Sequence, residues 1–525
     1  MTILITDPVD QACIDILKTE GCTVDYKPGI TPDEIKKVIQ KAEALIVRSG
    51  TNVTADIIAA AEKLKVVGRA GAGVDNIDVE AATRRGIIVM NTPGGNTIST
   101  AEHTISMMLA LARNIPHAHQ SLREGKWERK KFVGTELYGK TLGIIGLGKV
   151  GTEVARRCSA FEMKIIAYDP ILSSEYALKF GVELVGLSDI FQRSDFITVH
   201  SPLTKETKNL IDEKSLLKCK RGVRIINCAR GGIVDEHALF NALESGLVGG
   251  AALDVFETEP PKDSPLLKHP RVVAMPHLGA STEEAQEKVA IQIAHQVVDA
   301  LKGRGISGSV NADSIGTAMR EELQPYLELA EKLGKLIAQL MSGKLKSITV
   351  SVSGDLLRDS LTVLSAALLR GVLEKVLFEP VNYLNAPIIA RERGINVQLH
   401  QDEGHELYSN VFSVRYETDR ERRRFSGTVF GNKDVRIISI DSFHFEIKPV
   451  GNLMFYSNID RPGMLAAVGS VLAKSNINIA GLSLGRYGPG QQALTVISLD
   501  NPVSERILSE IASLDGISDV KVVTL

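Results

Sequence analysis

Short apolar runs at residues 3–5, 44–47, 64–67 and 87–90 alternate with amphipathic stretches such as 10–19 along the first ninety residues. Brief apolar runs separated by helical periodicity read as buried strands of a parallel α/β layer. Residues 97–113 form a long helix candidate, and a second alternating series opens at 141–145 and closes at 272–275. A helix over 281–301 follows and is expected to return to the first layer. The texture then changes, with Gly303, Gly305 and Gly308 marking a linker and a mixture of helices and β-rich runs beyond it. Within that mixture, 427–430 and 435–440 read as successive strands. From 452 to 525 the pattern is strand, Pro-Gly turn, helix (464–474), strands near 479–484 and 493–499, helix (504–513), strand (520–523). That order is βαββαβ.

Composition narrows the field. A chain of 525 residues predicts three or four domains at about 150 residues each. A formal net charge of −2 gives no reason to expect nucleic acid or an anionic membrane as partner. The start lacks a basic flank and apolar leader, and no later run is long enough to span a bilayer, so a cytoplasmic protein is expected. Cys13, Cys22, Cys158, Cys219 and Cys228 show no paired spacing, which predicts neither a disulfide framework nor a metal site.

The strongest motif follows the apolar run 141–145. Gly146, Gly148 and Gly151 stand at the GxGxxG spacing between a strand and a helix, and Asp169 closes a second apolar run, 164–168. The first glycine permits the tight turn, the second lets backbone approach a pyrophosphate, and the third lets helix pack on strand. The helix N-terminus faces the anion. Asp169 is placed to accept hydrogen bonds from ribose hydroxyls, and with no adjacent Arg or Lys to pair with a 2′-phosphate, NAD is favoured over NADP. Because this fingerprint opens its own unit, the first ninety-six residues must form another, positioned to close over the cofactor.

Three residues after expected strands carry candidate chemistry. Arg230, on a glycine-flanked loop, can grip a carboxylate and an adjacent carbonyl, or form a surface salt bridge. His277, past Pro276, suits the proton transfer that accompanies oxidation of a secondary alcohol by NAD. Glu259, before Pro260-Pro261, can accept a hydrogen bond from the imidazole and fix its tautomer.

With these residues in view, the chain resembles the D-2-hydroxyacid dehydrogenase family. The resemblance rests on GLGKVG, NCARGGIVDE, ALDVFETEPP and MPHLGAST, and extends through VRSGTNVT, GRAGAGVDNIDVEAA and NTPGGNTISTAEHT to NIDRPGMLAAVG near the end. The chain resembles the family's long form, which carries an allosteric substrate-binding domain and an ACT domain. The resemblance implies an α/β fold: a Rossmann nucleotide-binding domain (98–282) inserted in a flavodoxin-like substrate domain (1–97 and 283–314). An α+β intervening domain (315–450) and a βαββαβ ACT domain (451–525) follow.

It also implies His277 as acid/base, Glu259 as its partner and Arg230 as anchor of the substrate carboxylate and carbonyl. Lys149, Val150, Ser201, Cys228, Ala229, Asp254, Gly279 and Ala280 would join the fingerprint around NAD. Asp254 would meet the nicotinamide carboxamide, although a strand-end carboxylate is the alternative. Arg48, Arg69 and Arg129 would meet a substrate phosphate, Arg129 from a neighbouring subunit of a homo-oligomer, a tetramer. For Arg129 a solvated basic face is the alternative. Gly95 and Asn96 would hold the substrate carboxylate. The implied reaction is oxidation of 3-phospho-D-glycerate to 3-phosphohydroxypyruvate, which opens serine biosynthesis. An unphosphorylated 2-hydroxy acid as substrate, or a non-catalytic NAD-sensing module, are the rivals. Asn458, Asp460 and Asn478 would bind L-serine as effector at an interface between paired ACT units, or serve only as turn and cap formers.

Overall fold

A computed structural model describes residues 1–312, 320–374, 381–405, 407–431 and 433–525. The junction expected at 314/315 lies outside the described residues.

Strands Thr2–Ile5, Thr23–Tyr26, Ala44–Val47, Val66–Arg69 and Ile88–Met90 form a parallel sheet in the order second, first, third, fourth, fifth, the flavodoxin-like arrangement. The fourth strand sits two residues beyond the apolar run that announced it. Gly68 extends it because helix Glu283–Leu301 crosses there, so closely that a Cβ on Gly68 would lie 2.7 Å from Val297. Arg69 is thereby carried to the strand's end, opposite Val47. The helix is capped by Thr282, whose Oγ1 accepts from Ala285 N–H at 3.2 Å, so it starts two residues later than its pattern suggested. Its Val289, Ile293, Ala294 and Val297 share one buried core with Ile3, Ile5, Cys13, Leu17 and Val66. The helix thus returns to the first layer.

The second sheet is parallel with seven strands, ordered Val272–Ala274, Val248–Leu253, Val223–Asn227, Phe196–Val199, Thr141–Ile145, Lys164–Tyr168, Glu183–Leu184. All strands run the same way, but their order across the sheet reverses beside Thr141–Ile145, the switch point outside which such sheets bind ligands. Helix Thr97–Ala112 covers this sheet with Ala101, Met108 and Leu111, packed with Lys149–Ser159.

Residues 345–447 build a six-stranded sheet, ordered Asn396–Gln401, Leu345–Ser353, Val411–Thr418, Arg422–Phe430, Asp434–Ile440, Phe443–Ile447. Only the fourth and fifth were legible in outline. The fourth begins at Arg422 because Arg422, Arg423 and Arg424 pair with Glu417, Tyr416 and Arg415 of the neighbouring strand, a polar stretch with no apolar signature. The last unit has the expected βαββαβ order, with helices Met464–Lys474 and Glu505–Ala512 on one face of an antiparallel sheet. Along Asn452–Ile459, Met454 and Tyr456 face those helices, whereas Leu453 and Phe455 join the core of the preceding unit. Among the described residues no helix is long and apolar enough to cross a membrane, and no group of His, Cys, Asp or Glu is arranged to hold a metal.

Candidate active site

Three loops converge between the two parallel sheets. The strand Val272–Ala274 ends in Pro276 and His277, and His277 adopts φ 56°, a left-handed conformation uncommon for a residue with a side chain. What holds it is Asp254, fully buried at the end of strand Val248–Leu253. The Asp254 carbonyl accepts His277 N–H at 2.9 Å, and its carboxylate accepts Leu278 N–H at 2.7 Å and Gly279 N–H at 2.8 Å. Both Asp254 carboxylate oxygens are therefore engaged by the loop that bears the histidine. His103 Nε2 lies 3.1 Å from the same carboxylate.

His277 Nδ1 and Glu259 Oε2 are 2.8 Å apart, and Glu259 Oε1 accepts Phe256 N–H at 3.2 Å. Burial pushes the Glu259 carboxyl up, but the bond and charge of His277 and the Phe256 N–H outweigh it and hold the group below its ordinary value. With Nδ1 committed to Glu259, Nε2 is the ring atom left to exchange a proton with a ligand. Arg230 stands on the loop after strand Val223–Asn227. Buried Asn227 shapes that loop, its Nδ2 donating to Arg230 O at 2.9 Å and its Oδ1 accepting from Ala229 N–H at 3.1 Å. Arg230 Nε pairs with Asp75 Oδ2 at 2.9 Å, across the cleft, and Nη1 donates to Ala229 O at 2.7 Å.

From the flavodoxin-like side come Arg48 and Arg69. Asn76 ties them together: its Nδ2 donates to Arg48 O at 2.7 Å and its Oδ1 accepts from Arg69 Nε at 2.9 Å. Asp7, buried, accepts Arg48 N–H at 2.5 Å. Burial, then the charge of Arg230, pushes the Arg69 guanidinium down from its ordinary value, against the opposing pull of Asp75. Arg48, Arg69, Asn96, Arg230, Glu259, His277 and Ala280 line one cavity of about 440 Å³. Gly95 sits behind it, where a Cβ would lie 2.4 Å from Val289. Arg129 is not brought in: it lies on the exposed turn Arg129–Phe132 and does not line the cavity.

The dinucleotide fingerprint has the three expected jobs in three different surroundings. Gly146 has φ 94°, and its Cβ would meet His200 O at 2.7 Å; a Cβ on Gly151 would meet Gly146 O at 2.1 Å. Gly148 has nothing within 4 Å of a Cβ, leaving open space before the helix Lys149–Ser159 for an anion to approach. Asp169 is fixed beside this turn, Oδ2 accepting from Leu147 N–H at 3.0 Å and Oδ1 from Ile171 N–H at 2.9 Å. Ser201 Oγ is buried without a hydrogen-bond partner. An open glycine cradle, a fixed acidic residue and an orphaned hydroxyl fit NAD. Lys149 Nζ reaches Pro93 O at 3.5 Å, and Val150 packs against the sheet's core. The Cys228 side chain belongs to the core, where burial, with the charge of Asp254, pushes its thiol up to about 12. Only its main chain is left to face a cofactor.

The expected effector trio does not meet within one chain. Asn458 pairs across the sheet with Ala493, and Asp460 accepts from Arg486 Nη1 at 2.8 Å. Asn478 donates to Asp500 at 2.7 Å, beside the Asn452–Leu499 end of the same sheet. An eight-residue strand separates the two ends. The antiparallel register thus leaves Asp460 and Asn478 at opposite ends of one ACT unit.

Residues 105–279 match the family described as D-isomer specific 2-hydroxyacid dehydrogenase, NAD binding domain. Residues 322–441 match the D-3-phosphoglycerate dehydrogenase intervening domain, and 452–516 the ACT domain. The chain is 46% identical over 528 residues to a D-3-phosphoglycerate dehydrogenase of Archaeoglobus fulgidus, covering 100% of both chains. It is 45% identical over 524 residues to one of Synechocystis, covering 100% of this chain and 94% of the other. Its structure resembles a D-lactate dehydrogenase of Aquifex aeolicus complexed with NAD and lactic acid, at TM-score 0.51 and 27% identity, over 58% of this chain and 96% of that one.

Proposed function

The chain belongs to the D-isomer specific 2-hydroxyacid dehydrogenases, in the D-3-phosphoglycerate dehydrogenase branch, and from that membership we propose how its own residues oxidise 3-phospho-D-glycerate to 3-phosphohydroxypyruvate. The observation that carries this reading is the single cavity in which a His–Glu pair and three arginines face one another. Arg230 grips the carboxylate and the C2 oxygen. Arg48 and Arg69, from the opposite wall, meet the phosphate, whose charge of about −1.5 to −2 needs two or three cations. Arg129 of a second copy supplies the third. Asn96 and the Gly95 main chain steady the carboxylate. His277 Nε2 takes the C2 hydroxyl proton as C2 gives up hydride, and Glu259 holds the ring while it is charged. NAD, when bound, supplies the hydride acceptor. The fingerprint glycines, with Asp169, Ser201 and the Gly279–Ala280 backbone, hold it.

Appearance of NADH on adding 3-phosphoglycerate tests this directly. Retained NAD binding with no phosphoglycerate-dependent NADH defeats it in favour of a sensing module. Equal turnover of D-glycerate and 3-phosphoglycerate removes the role given to Arg48 and Arg69.

The same reading divides the chain into a discontinuous substrate unit (1–97, 283–314), a nucleotide unit (98–282), an intervening unit (315–450) and an ACT unit (451–525). It takes the protein as a cytoplasmic homotetramer, and the five unpaired thiols support a reducing compartment. Exposed Leu122, Trp127 and Val133 beside Arg129 support a subunit interface there. L-Serine, as effector, would bridge two ACT units, because one unit holds Asp460 and Asn478 at opposite ends.

A further inference from the structure

Asp75 has no place in the reaction above, yet its carboxylate is the partner of the arginine that the reaction most needs. It sits on the loop between strand Val66–Arg69 and helix Val79–Arg84, reaches across the cleft and pairs with Arg230 Nε at 2.9 Å. Gly73 lies against the pair, where a Cβ would come within 2.2 Å of Arg230 Nη2 and 2.7 Å of Asp75 Oδ2, while the Asp75 side chain is 69% exposed. A guanidinium has five N–H donors, and two parallel ones make a bidentate grip on a carboxylate. Asp75 takes Nε, and Ala229 O takes one donor of Nη1. The side-on edge of Arg230 is therefore half claimed by the protein's own carboxylate, and the charge of the guanidinium is offset where it would attract a ligand.

We propose that Asp75 is a built-in competitor for Arg230, which sets the cleft's preference for doubly anionic substrates; this rests on the reading of the cavity given above. A ligand with a single carboxylate has only Arg230 to bind and must contend with Asp75 for it. A phosphorylated hydroxy acid is held as well by Arg48 and Arg69 on the far wall, which lets its carboxylate enter against the resident one. Asp75 never touches the reacting atoms. It is a specificity-determining residue that acts through Arg230.

Steady-state kinetics of Asp75→Asn with 3-phosphoglycerate and with D-glycerate test the idea, alongside binding of oxamate, which has a single carboxylate, to the NADH complex followed by fluorescence. Glu80→Gln removes the same charge from the exposed face of the neighbouring helix, out of contact with Arg230, and serves as control. Asp75→Asn is expected to lower KM for D-glycerate by about three- to tenfold, and that for 3-phosphoglycerate by less, with kcat within about threefold. Oxamate should bind tighter by a similar factor, and Glu80→Gln should show neither change. A rise in both KM values, or a kcat loss beyond about tenfold, would mean that Asp75 orients Arg230, as a purely structural partner does. Unchanged constants overturn the proposal equally. Should Asp75→Asn fold poorly, Asp75→Ser removes the same carboxylate and carries the same expectations. A wild-type enzyme that makes no NADH from 3-phosphoglycerate defeats the functional reading, while the oxamate titration still decides the competition at Arg230.

Discussion

Asp254 and His277 are joined through the main chain, carbonyl to N–H at 2.9 Å, while the Asp254 carboxylate seizes the next two N–H groups at 2.7 and 2.8 Å. These three bonds hold the histidine at φ 56°, a conformation that costs on the order of 1 kcal/mol for a residue with a side chain. Asp254→Ala strands two N–H groups and should destabilise the protein by about 2–4 kcal/mol. It should also lower kcat, since the imidazole loses its support. Asp254→Asn keeps one acceptor and should fall between. Denaturant melts and initial rates check both, and a variant with wild-type stability and kcat would contradict the arrangement.

His277→Ala removes the proton acceptor and leaves the nucleotide cradle intact. The expected result is a fall in kcat on the order of 10²-fold or more, with NADH affinity changed little. Fluorescence titration of NADH is the companion measurement; an equal loss of nucleotide affinity would contradict the assignment.

Gly148 and Gly151 should respond in opposite ways to the same substitution. Gly148→Ala meets nothing within 4 Å in the protein, so stability should stay within about 0.5 kcal/mol while NAD affinity drops. Gly151→Ala drives a Cβ to 2.1 Å from Gly146 O, and a backbone atom cannot swing aside; a loss of about 2–4 kcal/mol is expected. Thermal melts with and without NAD separate the two.

The Glu259 carboxyl, held below its ordinary value by His277, ties stability to acidity. A lowered folded-state value adds stability above the unfolded carboxyl's value of about 4.3, and that increment is lost as pH falls through the lower folded value. The pair is partly exposed, so the increment should stay below about 1 kcal/mol. Melting temperatures of wild type and Glu259→Gln should differ near neutral pH and converge below about pH 4. A gap that persists at lower pH would contradict this.

All five cysteines are buried, and burial pushes the thiols of Cys13, Cys158, Cys219 and Cys228 up to about 12. A disulfide reagent near pH 8 should label the native protein slowly and all five thiols rapidly in denaturant. Fast native labelling of Cys228 would place it outside the core.

Much of this was legible because strand ends announce themselves. Val272 and Val273 are apolar, Pro276 stops the run, and His277 follows where a parallel sheet presents its ligand side. Asp75 and Asn227 were not legible, since an Asp and an Asn near glycines look like any turn formers. What gives them meaning is a partner 155 positions away for Asp75 and the fold of a three-residue loop for Asn227. Periodicity likewise found helix Met464–Lys474 to the residue, because its apolar face meets one sheet. It missed strand Asn396–Gln401, an exposed edge strand, although Ile395, Val397 and Leu399 alternate there with Asn396, Gln398 and His400. Asn478 lies at the opposite end of its sheet from Asn458 and Asp460, a separation that adjacency in sequence to turns does not disclose.

Helix Glu283–Leu301 seals the core of the first sheet, although nearly two hundred residues of other structure intervene between them in the chain. A ribosome therefore releases strands Thr2–Ile5 to Ile88–Met90 long before the helix that covers them exists, and Ile3, Ile5 and Val66 stay wet meanwhile. The half of the cleft that offers Arg48 and Arg69 is completed only after the half that offers His277 has been synthesised, so the arginine wall cannot be fully built ahead of the wall it faces.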